Sequence, residues 1–562
     1  KNLLASVATG TLKGFGMNSL QFGKGAFQSE FGRKALNTGI GTAFGMGVDK
    51  AASGMRGEEY NAGASFVQNL IQAGLGQAFG EPIDAASGSF LMTVHEFILP
   101  GVLVPIYLTR KYCSGNGKSG WLGKGWHFSY EGRLCRDEEK GILHVQLPDG
   151  YCAAYEAVEA GNGGTLYRDV VGSGRYLLSR DDMANLWNVT DTHQFTTYCY
   201  DGEGQLVSVV DKNGGSLWME YDGGVPVRLT TPLGFAVTFT FREGRLARME
   251  DSAGRAVEYR YEKNLLTEVV HMDGGVSRYA YTAEGYMETS TDQTGLTYLT
   301  NEYDSKGRVT KQTLADGSTY QVQYDDRKRQ VTMEYSTYPG AYTYTYNEKM
   351  AVTKVAYPDG TEETFAYDAC NQLVEKTDRT GAATRMEYDA RGHLVRETMP
   401  EGLERTYVYD GRGDLVSVRD NGGRERIFAY DGLHNLILCR EKTAEEEWRE
   451  EKFTWDPMGR LTAKEDGEGH LTRYCYEETS AYPYRTIYAD GTELLCGYDE
   501  LGRKLWEEDG TGRTEYAYNR NGWQTMERDG EGHDTHRLND ARGRLTPHDS
   551  PQQSPSGNAK RT

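Results

Sequence analysis

The chain has 562 residues, far more than the roughly 250–300 at which a single hydrophobic core stops growing, so it holds several domains or a repeat array. Its 39 Tyr argue against disorder, and its 69 Gly with only 14 Pro exclude a collagen. The net charge of −20 argues against nucleic-acid binding by the whole surface. No run of about 18 apolar residues predicts a transmembrane helix.

Residues 1–80 form a Gly-rich segment with 16 Gly, one Tyr and no Pro. Seven basic and four acidic residues give it a charge of +3, which leaves −23 for the rest. Apolar residues spaced four or five apart predict helices. We expect these helices to pack on or into the remaining structure, with a membrane-active hairpin as the alternative because Gly41 and Gly45 allow close helix packing. The start at Lys1, without a leader sequence, is typical of an internal fragment.

Residues 81–198 predict a β domain that precedes the repeats. DAASGSF at 84–90 is followed by an apolar stretch at 99–114 and by GWLGKGWHFSYEGRL at 120–134. Trp121 and Trp126 flank two Gly in the last segment. A bend there is expected to bring the two indoles together as a small core.

A Tyr-polar pair recurs from residue 200 onward, and successive copies lie 20 to 22 residues apart with one interval of 25. The repeated aromatic positions are Tyr200, Tyr221, Phe241, Tyr261, Tyr281, Tyr303, Tyr324, Tyr346, Tyr367, Tyr388, Tyr409, Tyr430, Trp455, Tyr476, Tyr498 and Tyr518, with Leu538 as a degenerate last copy. The sequence thus predicts an array of about seventeen units over residues 199–546. Residues 547–562 are rich in Pro, Ser and Gln, which predicts a disordered tail.

One repeat predicts a β-hairpin of about 21 residues. In the copy from Leu403, residues 403–409 and 414–419 favour strands, and Asp and Gly residues favour the turns at both ends. A single hairpin is marginal in water, so neighbouring units must pair into one continuous sheet. Each Tyr is expected to cover apolar surface while its hydroxyl reaches water or backbone. The alternative is that exposed Tyr side chains form a carbohydrate platform.

The repeats resemble a known family. YDSKGRV at 303–309, YDARGHLV at 388–395 and YDELGRKL at 498–505 are similar to the YD repeat of Rhs proteins, wall-associated proteins, the shell components of insecticidal Tc complexes and teneurins. Residues 84–134 resemble the domain that opens the core of bacterial Rhs proteins. The resemblance implies a mainly β fold, in which an antiparallel array of hairpins forms part of a spiralling shell.

The resemblance also implies a function. The chain is expected to be a non-catalytic shell segment of an Rhs-type polymorphic toxin that encloses and helps to deliver a C-terminal toxin, which this sequence lacks. The expected partners are the toxin cargo and a secretion apparatus or cell-wall glycans, and the expected location is secreted or on the cell surface. The alternative function is a cell-surface adhesion module that binds glycans or cell wall through its Tyr residues.

No catalytic, cofactor-binding or metal-binding residue is assigned, because carboxylates recur at the same turn position in every repeat and a catalytic pair should be unique. Asp456 lies in a DPMG sequence that resembles the family's self-cleaving segment, yet it keeps the repeat register and is interpreted as a turn Asp. His533 and His536 could face one way on a helix, but their segment has the pattern of a repeat turn that runs into a strand, so no metal site is predicted there.

A few residues depart from the repeat pattern, and each stands alone among turn formers or apolar neighbours. They are Cys370, His434, Cys439, Cys475 and Cys496. His434 is interpreted as a solvent-facing substitution. Cys475 and Cys496 lie 21 residues apart and are expected at equivalent positions, as two buried thiols or, alternatively, as a cross-strand disulfide.

Overall fold

The computed structural model describes residues 83–84, 86–101, 106–148, 152–159, 165–170, 174–443 and 447–538. These residues form 44 β-strands, and the 3-10 turn Pro400–Gly402 is the one helical element among them. The predicted helices of residues 1–80 and the predicted disorder of residues 547–562 lie outside the described residues. In the described part of the chain, no helix has the length and apolar character needed to cross a membrane.

Nine strands precede the large sheet. They are β1 (Leu91–Leu99), β2 (Ile106–Cys113), β3 (Ser119–Gly120), β4 (Gly123–Lys124), β5 (Trp126–Phe128), β6 (Arg133–Asp137), β7 (Ile142–Gln146), β8 (Cys152–Glu159) and β9 (Thr165–Asp169). They form small antiparallel sheets in the orders β1-β2-β5, β3-β4 and β6-β7-β8-β9. We refer to residues 83–137 as the opening domain.

The other 35 strands form one antiparallel sheet, in which each strand pairs with its neighbours in sequence. They are β10 (Tyr176–Asp181), β11 (Leu186–Asp191), β12 (Thr196–Tyr200), β13 (Leu206–Val210), β14 (Ser216–Asp222), β15 (Val225–Thr230), β16 (Ala236–Arg242), β17 (Arg245–Asp251), β18 (Ala256–Glu262), β19 (Leu265–Val270), β20 (Val276–Tyr281), β21 (Met287–Thr291), β22 (Thr297–Tyr303), β23 (Val309–Leu314), β24 (Thr319–Asp325), β25 (Gln330–Tyr335), β26 (Tyr338–Tyr346), β27 (Val352–Ala356), β28 (Glu362–Tyr367), β29 (Leu373–Thr377), β30 (Ala383–Tyr388), β31 (Leu394–Thr398), β32 (Glu404–Tyr409), β33 (Leu415–Asp420), β34 (Glu425–Tyr430), β35 (Leu436–Lys442), β36 (Trp448–Trp455), β37 (Leu461–Glu465), β38 (Leu471–Tyr476), β39 (Pro483–Ile487), β40 (Glu493–Tyr498), β41 (Lys504–Asp509), β42 (Gly512–Tyr518), β43 (Gln524–Arg528) and β44 (Asp534–His536). The sheet starts at Tyr176, ahead of the boundary at 199 that the repeat motif suggested.

Each repeat contributes one hairpin with two kinds of turn. The Tyr-Asp turns, such as 389–393, follow the repeated Tyr, and the distal turns, such as 378–382, lie at the other end of the hairpin. In most hairpins the register shifts directly before the Tyr, as between Glu387 and Tyr388. Such β-bulges bend a strand and increase its twist, so a bulge in nearly every hairpin makes the sheet coil.

The repeated Tyr links each hairpin to the one before it. Its hydroxyl donates a hydrogen bond of 2.6 to 2.9 Å to the backbone carbonyl at the start of the preceding hairpin's return strand. The pairs are Tyr221 to Leu206, Tyr261 to Leu246, Tyr281 to Leu266, Tyr303 to Met287, Tyr324 to Val309, Tyr367 to Val352, Tyr388 to Leu373, Tyr476 to Leu461 and Tyr518 to Lys504. The hydroxyl thus reaches backbone, one of the two predicted destinations. At Trp455 the indole Nε1 donates to the carbonyl of Leu436 at 2.6 Å.

The two faces of the sheet differ in chemistry. One face carries the repeated Tyr and buried side chains such as Phe239, Tyr259 and Phe428, which belong to one continuous core cluster. The opposite face carries exposed ion pairs between neighbouring strands, for example Arg385 with Glu375 at 2.7 Å. Each exposed pair adds little stability, so the sheet is held by its ladder and by its apolar face.

We predict that Tyr388→Phe removes the bond to the Leu373 carbonyl and lowers local stability by about 1 kcal/mol, the usual net value of one hydrogen bond. Hydrogen exchange should then accelerate in strands 373–377 and 383–388. Tyr488→Phe is the matched control, since Tyr488 is 40% exposed and stands outside the repeated position. Equal exchange in both variants would show that the hydroxyl carries no such role.

Candidate functional site

The repeated carboxylates serve as turn acceptors. Asp456 Oδ1 accepts backbone N–H groups from Met458 at 3.0 Å and Arg460 at 2.8 Å, and Asp456 Oδ2 accepts Arg460 Nε at 2.6 Å. Asp499 is bonded in the same way by Arg503. Asp456 therefore occupies the turn position that its register predicted.

The cysteines do not pair. Cys475 immediately precedes its repeat Tyr, whereas Cys496 lies two residues before its own, and β39 separates their strands. The prediction of equivalent positions is therefore wrong, because the repeat is 22 residues long here, and two strands separated by a third cannot form a cross-strand disulfide. None of the eight cysteines, all within the described ranges, forms a disulfide. Cys439 is buried, which raises its pKa to about 11, and Cys370 lies in a Tyr-Asp turn.

His533 and His536 lie at the exposed end of the sheet. His533 Nδ1 is 3.0 Å from Asp529 Oδ2 in a Tyr-free distal turn, and His536 belongs to the last strand. Within the described ranges, no group of three or more His, Cys, Asp or Glu side chains could hold a metal ion. The expectation that the chain needs no metal stays a prediction.

His434 differs from its predicted role. Its side chain is only 20% exposed, its Nδ1 lies 2.9 Å from the buried Asp414 carboxylate, and its ring stacks on Phe195 at 3.7 Å. Its φ of 62° is the left-handed value that Gly supplies in other Tyr-Asp turns. The interpretation as a solvent-facing substitution is wrong because Phe195, more than 200 residues earlier, covers the ring.

This stacking belongs to a contact between distant parts of the sheet, which we call the coil seam. At each point a distal turn of an early hairpin meets a Tyr-Asp turn of a late hairpin, 198 to 248 residues further along. The hydrogen bonds are His193 Nε2 with Arg391 O at 2.9 Å, Lys212 Nζ to His434 O at 2.7 Å, Asn435 Nδ2 to Asn213 Oδ1 at 2.9 Å and Asn521 Nδ2 to Asp273 Oδ2 at 2.7 Å.

The seam defines a spiral. The two turns that meet at the seam are separated by about 19 to 23 strands, which is one revolution of the sheet. At about 4.8 Å per strand, one revolution has a circumference of about 90–110 Å. The diameter between opposite backbones is therefore about 30–35 Å. The first coil places its distal turns against the Tyr-Asp turns of the second coil. The spiralling sheet that the repeats predicted is therefore present.

The opening domain covers the Tyr-Asp rim of the first coil. Its backbone and Tyr112 hydroxyl make hydrogen bonds of 2.8 to 3.0 Å along that rim, at Gly204, Leu246, Asn264, Met287 and Val309. These points span about ten strands, or about 48 Å of arc, whereas a domain of this size is only about 25–30 Å across. One compact domain reaches all of them only from the concave side, so the apolar face of the sheet faces inward.

Aromatic and ionic contacts anchor the opening domain to this inner face. Trp121 packs on Phe239 and Phe241, while Trp126 packs on Tyr279 and donates to Tyr281 Oη at 3.1 Å. The two indoles therefore bind the wall through separate partners rather than forming a core of their own, which corrects the prediction.

A buried ion pair reinforces the anchor. Arg110 and Glu96 pair at 1% exposure of each side chain, and the guanidinium carbon lies 4.8 Å from the Trp126 ring and 5.3 Å from the Tyr279 ring. Burial raises the pKa of Tyr279 and of Tyr259 above the usual value. The pair lies on the β1–β2 hairpin, so this hairpin is fixed along the first coil.

We predict that Gly123→Ala loosens the opening domain. Gly123 has φ +86°, and an added Cβ would lie 2.5 Å from the backbone oxygen of Asn264. Gly295→Ala is the control, since Gly295 has φ +85° with open space around it, so it carries the backbone strain of about 1–2 kcal/mol without the clash. Hydrogen exchange should rise in residues 119–128 and 262–266 for Gly123→Ala alone; a similar rise in both variants would refute the proposed rim contact.

Lys212 makes the seam sensitive to alkaline pH. Burial lowers the pKa of Lys212 to about 8, against about 10.4 in an unfolded chain, so the unfolded state binds more protons between these values. The cost of burying the ammonium is present below pH 8 and disappears as pH rises towards 10.4. Relative to Lys212→Met, the wild-type chain should gain about 2–3 kcal/mol of unfolding free energy between pH 7 and pH 10.

Comparing the two proteins at each pH cancels the ionisation of Tyr side chains, which affects both. Lys306→Met, at a residue with 62% side-chain exposure, serves as the control and should show no such trend. A wild-type-minus-variant difference that stays constant with pH would contradict the buried ammonium.

Comparison with known proteins gives two family matches. Residues 80–155 match a domain of unknown function, DUF6531, and residues 299–447 match the teneurin YD-shell. The chain is 27% identical over 281 residues to the double-stranded DNA deaminase toxin A of Burkholderia cenocepacia, covering 42% of this chain and 19% of that protein.

Solved structures to which the chain is similar include two Tc toxin assemblies. The TcdB2–TccC3 crystal structure is 12% identical, with a TM-score of 0.41, covering 85% of this chain and 28% of that one. The Photorhabdus luminescens Tc holotoxin pore is 13% identical, with a TM-score of 0.40, covering 82% and 26%. The chain thus spans about a fifth to a quarter of the relatives it matches.

Proposed function

We propose that this chain, which belongs to the Rhs and YD-repeat family, is a non-catalytic wall segment of a hollow shell that encloses a polypeptide toxin. The observation that carries the proposal is the coil seam, because it turns a flat repeat array into a closed wall around a lumen. The opening domain supports it by covering the rim of the first coil along about ten strands.

The dimensions suit a polypeptide cargo. After side chains are subtracted from a wall about 30–35 Å across, an opening of about 20 Å remains, comparable to the aqueous channel of 16- to 18-stranded barrels. An extended or partly folded chain fits this space, whereas a protease domain does not. Such a wall keeps the cargo from proteases and from the producing cell.

The inner face of the second coil mixes aromatic and charged side chains. Tyr407 and Phe453 lie there with both signs of charge, among them Glu397 and Arg426, and all four side chains are buried. They stabilise the packing of the wall itself rather than form a surface that is open to a cargo. We infer that the parent protein acts outside the producing cell, secreted or at its surface, in competition between bacteria.

The adhesion alternative is less consistent with the geometry. The repeated Tyr rings face inward, and their hydroxyls already donate to backbone carbonyls, as for Tyr367 and Tyr476. A glycan platform needs aromatic faces open to the outside, whereas the outer face here carries ion pairs such as Arg485 with Glu493. The repeated Tyr residues are therefore poor candidates for adhesion.

Size-selective labelling tests the wall. In a chain whose exposed and half-exposed cysteines Cys113, Cys135, Cys152, Cys370 and Cys475 are replaced by Ser, Thr472→Cys places a thiol on the inner face and Thr454→Cys places one on the outer face. A small maleimide should label both, but a polyethylene-glycol maleimide wider than the lumen should label only Thr454→Cys. Equal labelling of the two by the large reagent would overturn the proposal.

A further inference from the structure

A cavity of about 660 Å³ lies between the two coils. Its walls are the end of the β1–β2 hairpin, the distal turn of the first coil at 231–235 and two Tyr-Asp turns of the second coil. Its aromatic lining consists of Phe235, Tyr482, Tyr484, Tyr498 and Trp506. The volume is within the range of ordinary ligand sites, about 300–1,000 Å³. The three walls belong to parts of the chain far apart in sequence.

Glycines shape its aromatic floor. The rings of Tyr482 and Tyr498 stack at 5.2 Å, and Tyr482 lies across the next turn at Gly502, where an added Cβ would come within 2.5 Å of the ring. An added Cβ at Gly497 would lie still closer to the Trp506 ring. The aromatic floor thus requires Gly at these two positions.

The charges of the lining are all negative. Glu477, Asp499 and Glu500 line the cavity, and no Lys or Arg does. Arg503 neutralises Asp499 at 2.6 Å, whereas no ion pair in the described ranges neutralises Glu477 or Glu500. Glu477 and Glu500 are both exposed residues. Carboxylates that line a cavity attract a cation electrostatically, and the aromatic rings of the same lining attract it through their quadrupole.

The first coil contains a related pair of rings with a cation beside it. The ring centroids of Tyr286 and Tyr303 lie 5.2 Å apart with the planes at 31°, and Tyr286 lies across Gly307 as Tyr482 lies across Gly502. Here the opening domain supplies Lys124, whose Nζ lies 5.4 Å from the Tyr286 ring centroid and donates to the Glu284 carbonyl at 2.5 Å. In the second coil no Lys lines the cavity, and the matching turn carbonyl, Ser480 O, accepts Arg460 Nη1 at 2.7 Å, while the same guanidinium pairs with Asp456 outside the cavity lining.

We propose that the second-coil cavity is a binding site for a primary ammonium or guanidinium group, either a free organic cation or a Lys or Arg side chain on a polypeptide. The cation would lie over Tyr482 or Trp506 and pair with Glu477 and Glu500. It would join both coils and the β1–β2 hairpin, so its binding stabilises the seam. The proposal does not depend on the shell function.

Binding of Nα-acetyl-lysine methylamide and Nα-acetyl-arginine methylamide to the full chain tests this site, with the norleucine analogue as the uncharged probe. We expect the charged probes alone to bind, with saturation-transfer NMR as the readout. Glu477→Gln with Glu500→Gln should weaken binding at least about tenfold, as loss of charge-assisted contacts implies. Glu478→Gln with Glu508→Gln removes the same charge outside the cavity and should leave binding unchanged.

Tyr484→Ala, at a residue that is 41% exposed, provides a second lining variant that spares the fold and should also weaken binding. A Gly-flanked Lys peptide that binds more tightly than the single-residue probes would identify a polypeptide ligand. Equal affinity for the peptide and the single-residue probes would identify a free cation. Three results would overturn the proposal: equal binding of the norleucine analogue, unchanged affinity in the lining variants, or displacement of the charged probes by a neutral disaccharide. The lining variants must have the same thermal unfolding as the wild type for this comparison.

Discussion

The hydrogen bond that most of the repeated Tyr side chains donate to a carbonyl of the preceding hairpin is the constraint on which the wall depends. A hairpin in isolation is marginal, and the backbone ladder alone fixes neither the curvature nor the direction of a sheet. The bulge before the repeated Tyr bends the strand in most hairpins, and the Tyr side chain then contacts the preceding hairpin, so most joints bend in the same sense. At position 455 a Trp replaces the repeated Tyr, and its indole still donates to the Leu436 carbonyl across the longer repeat.

A repeated bend has two consequences for the rest of the molecule. The inner face of the first coil is strongly apolar, with Phe239 and Tyr279 among its buried residues, and would meet water without a cover. The opening domain supplies that cover and pairs its own backbone with the exposed rim, for instance at Leu246. Further along the sheet the inner face gains buried charges such as Glu451, which suits a region that the opening domain does not fill.

The sequence predicts what depends on neighbours in the chain. Hairpins, turns, the continuous sheet and the turn role of Asp456 all follow from a 21-residue pattern whose partners lie within about one repeat. The repeat period also caused one error, because a 22-residue unit places Cys475 and Cys496 on opposite faces. Residues that interact within one hairpin are thus predictable as long as the phase of the repeat is followed.

Contacts between coils cannot be predicted in this way. Which distal turn meets which Tyr-Asp turn depends on curvature summed over about 20 strands, so a small change in bend per strand moves the seam by a whole repeat. His434 therefore looked like an isolated surface residue, although Phe195 covers its ring. The anchoring of Trp121 on Phe239 is hidden for the same reason. A His or Lys in a turn that favours Gly or Asn is the one signal that could have drawn attention to the seam.

The seam and the ladder differ greatly in strength, and this difference determines how the wall can move. Adjacent strands share a row of backbone hydrogen bonds plus the Tyr link, whereas adjacent coils share isolated side-chain contacts such as Lys212 with His434 O. Separating two strands breaks that whole row at once, but separating two coils breaks a few contacts at a time. The spiral should therefore open by unwinding along the seam while its hairpins stay intact. The buried ammonium of Lys212 and the acidic aromatic cavity both lie on this weaker boundary, so charge at these two places acts where the wall is easiest to open or to close.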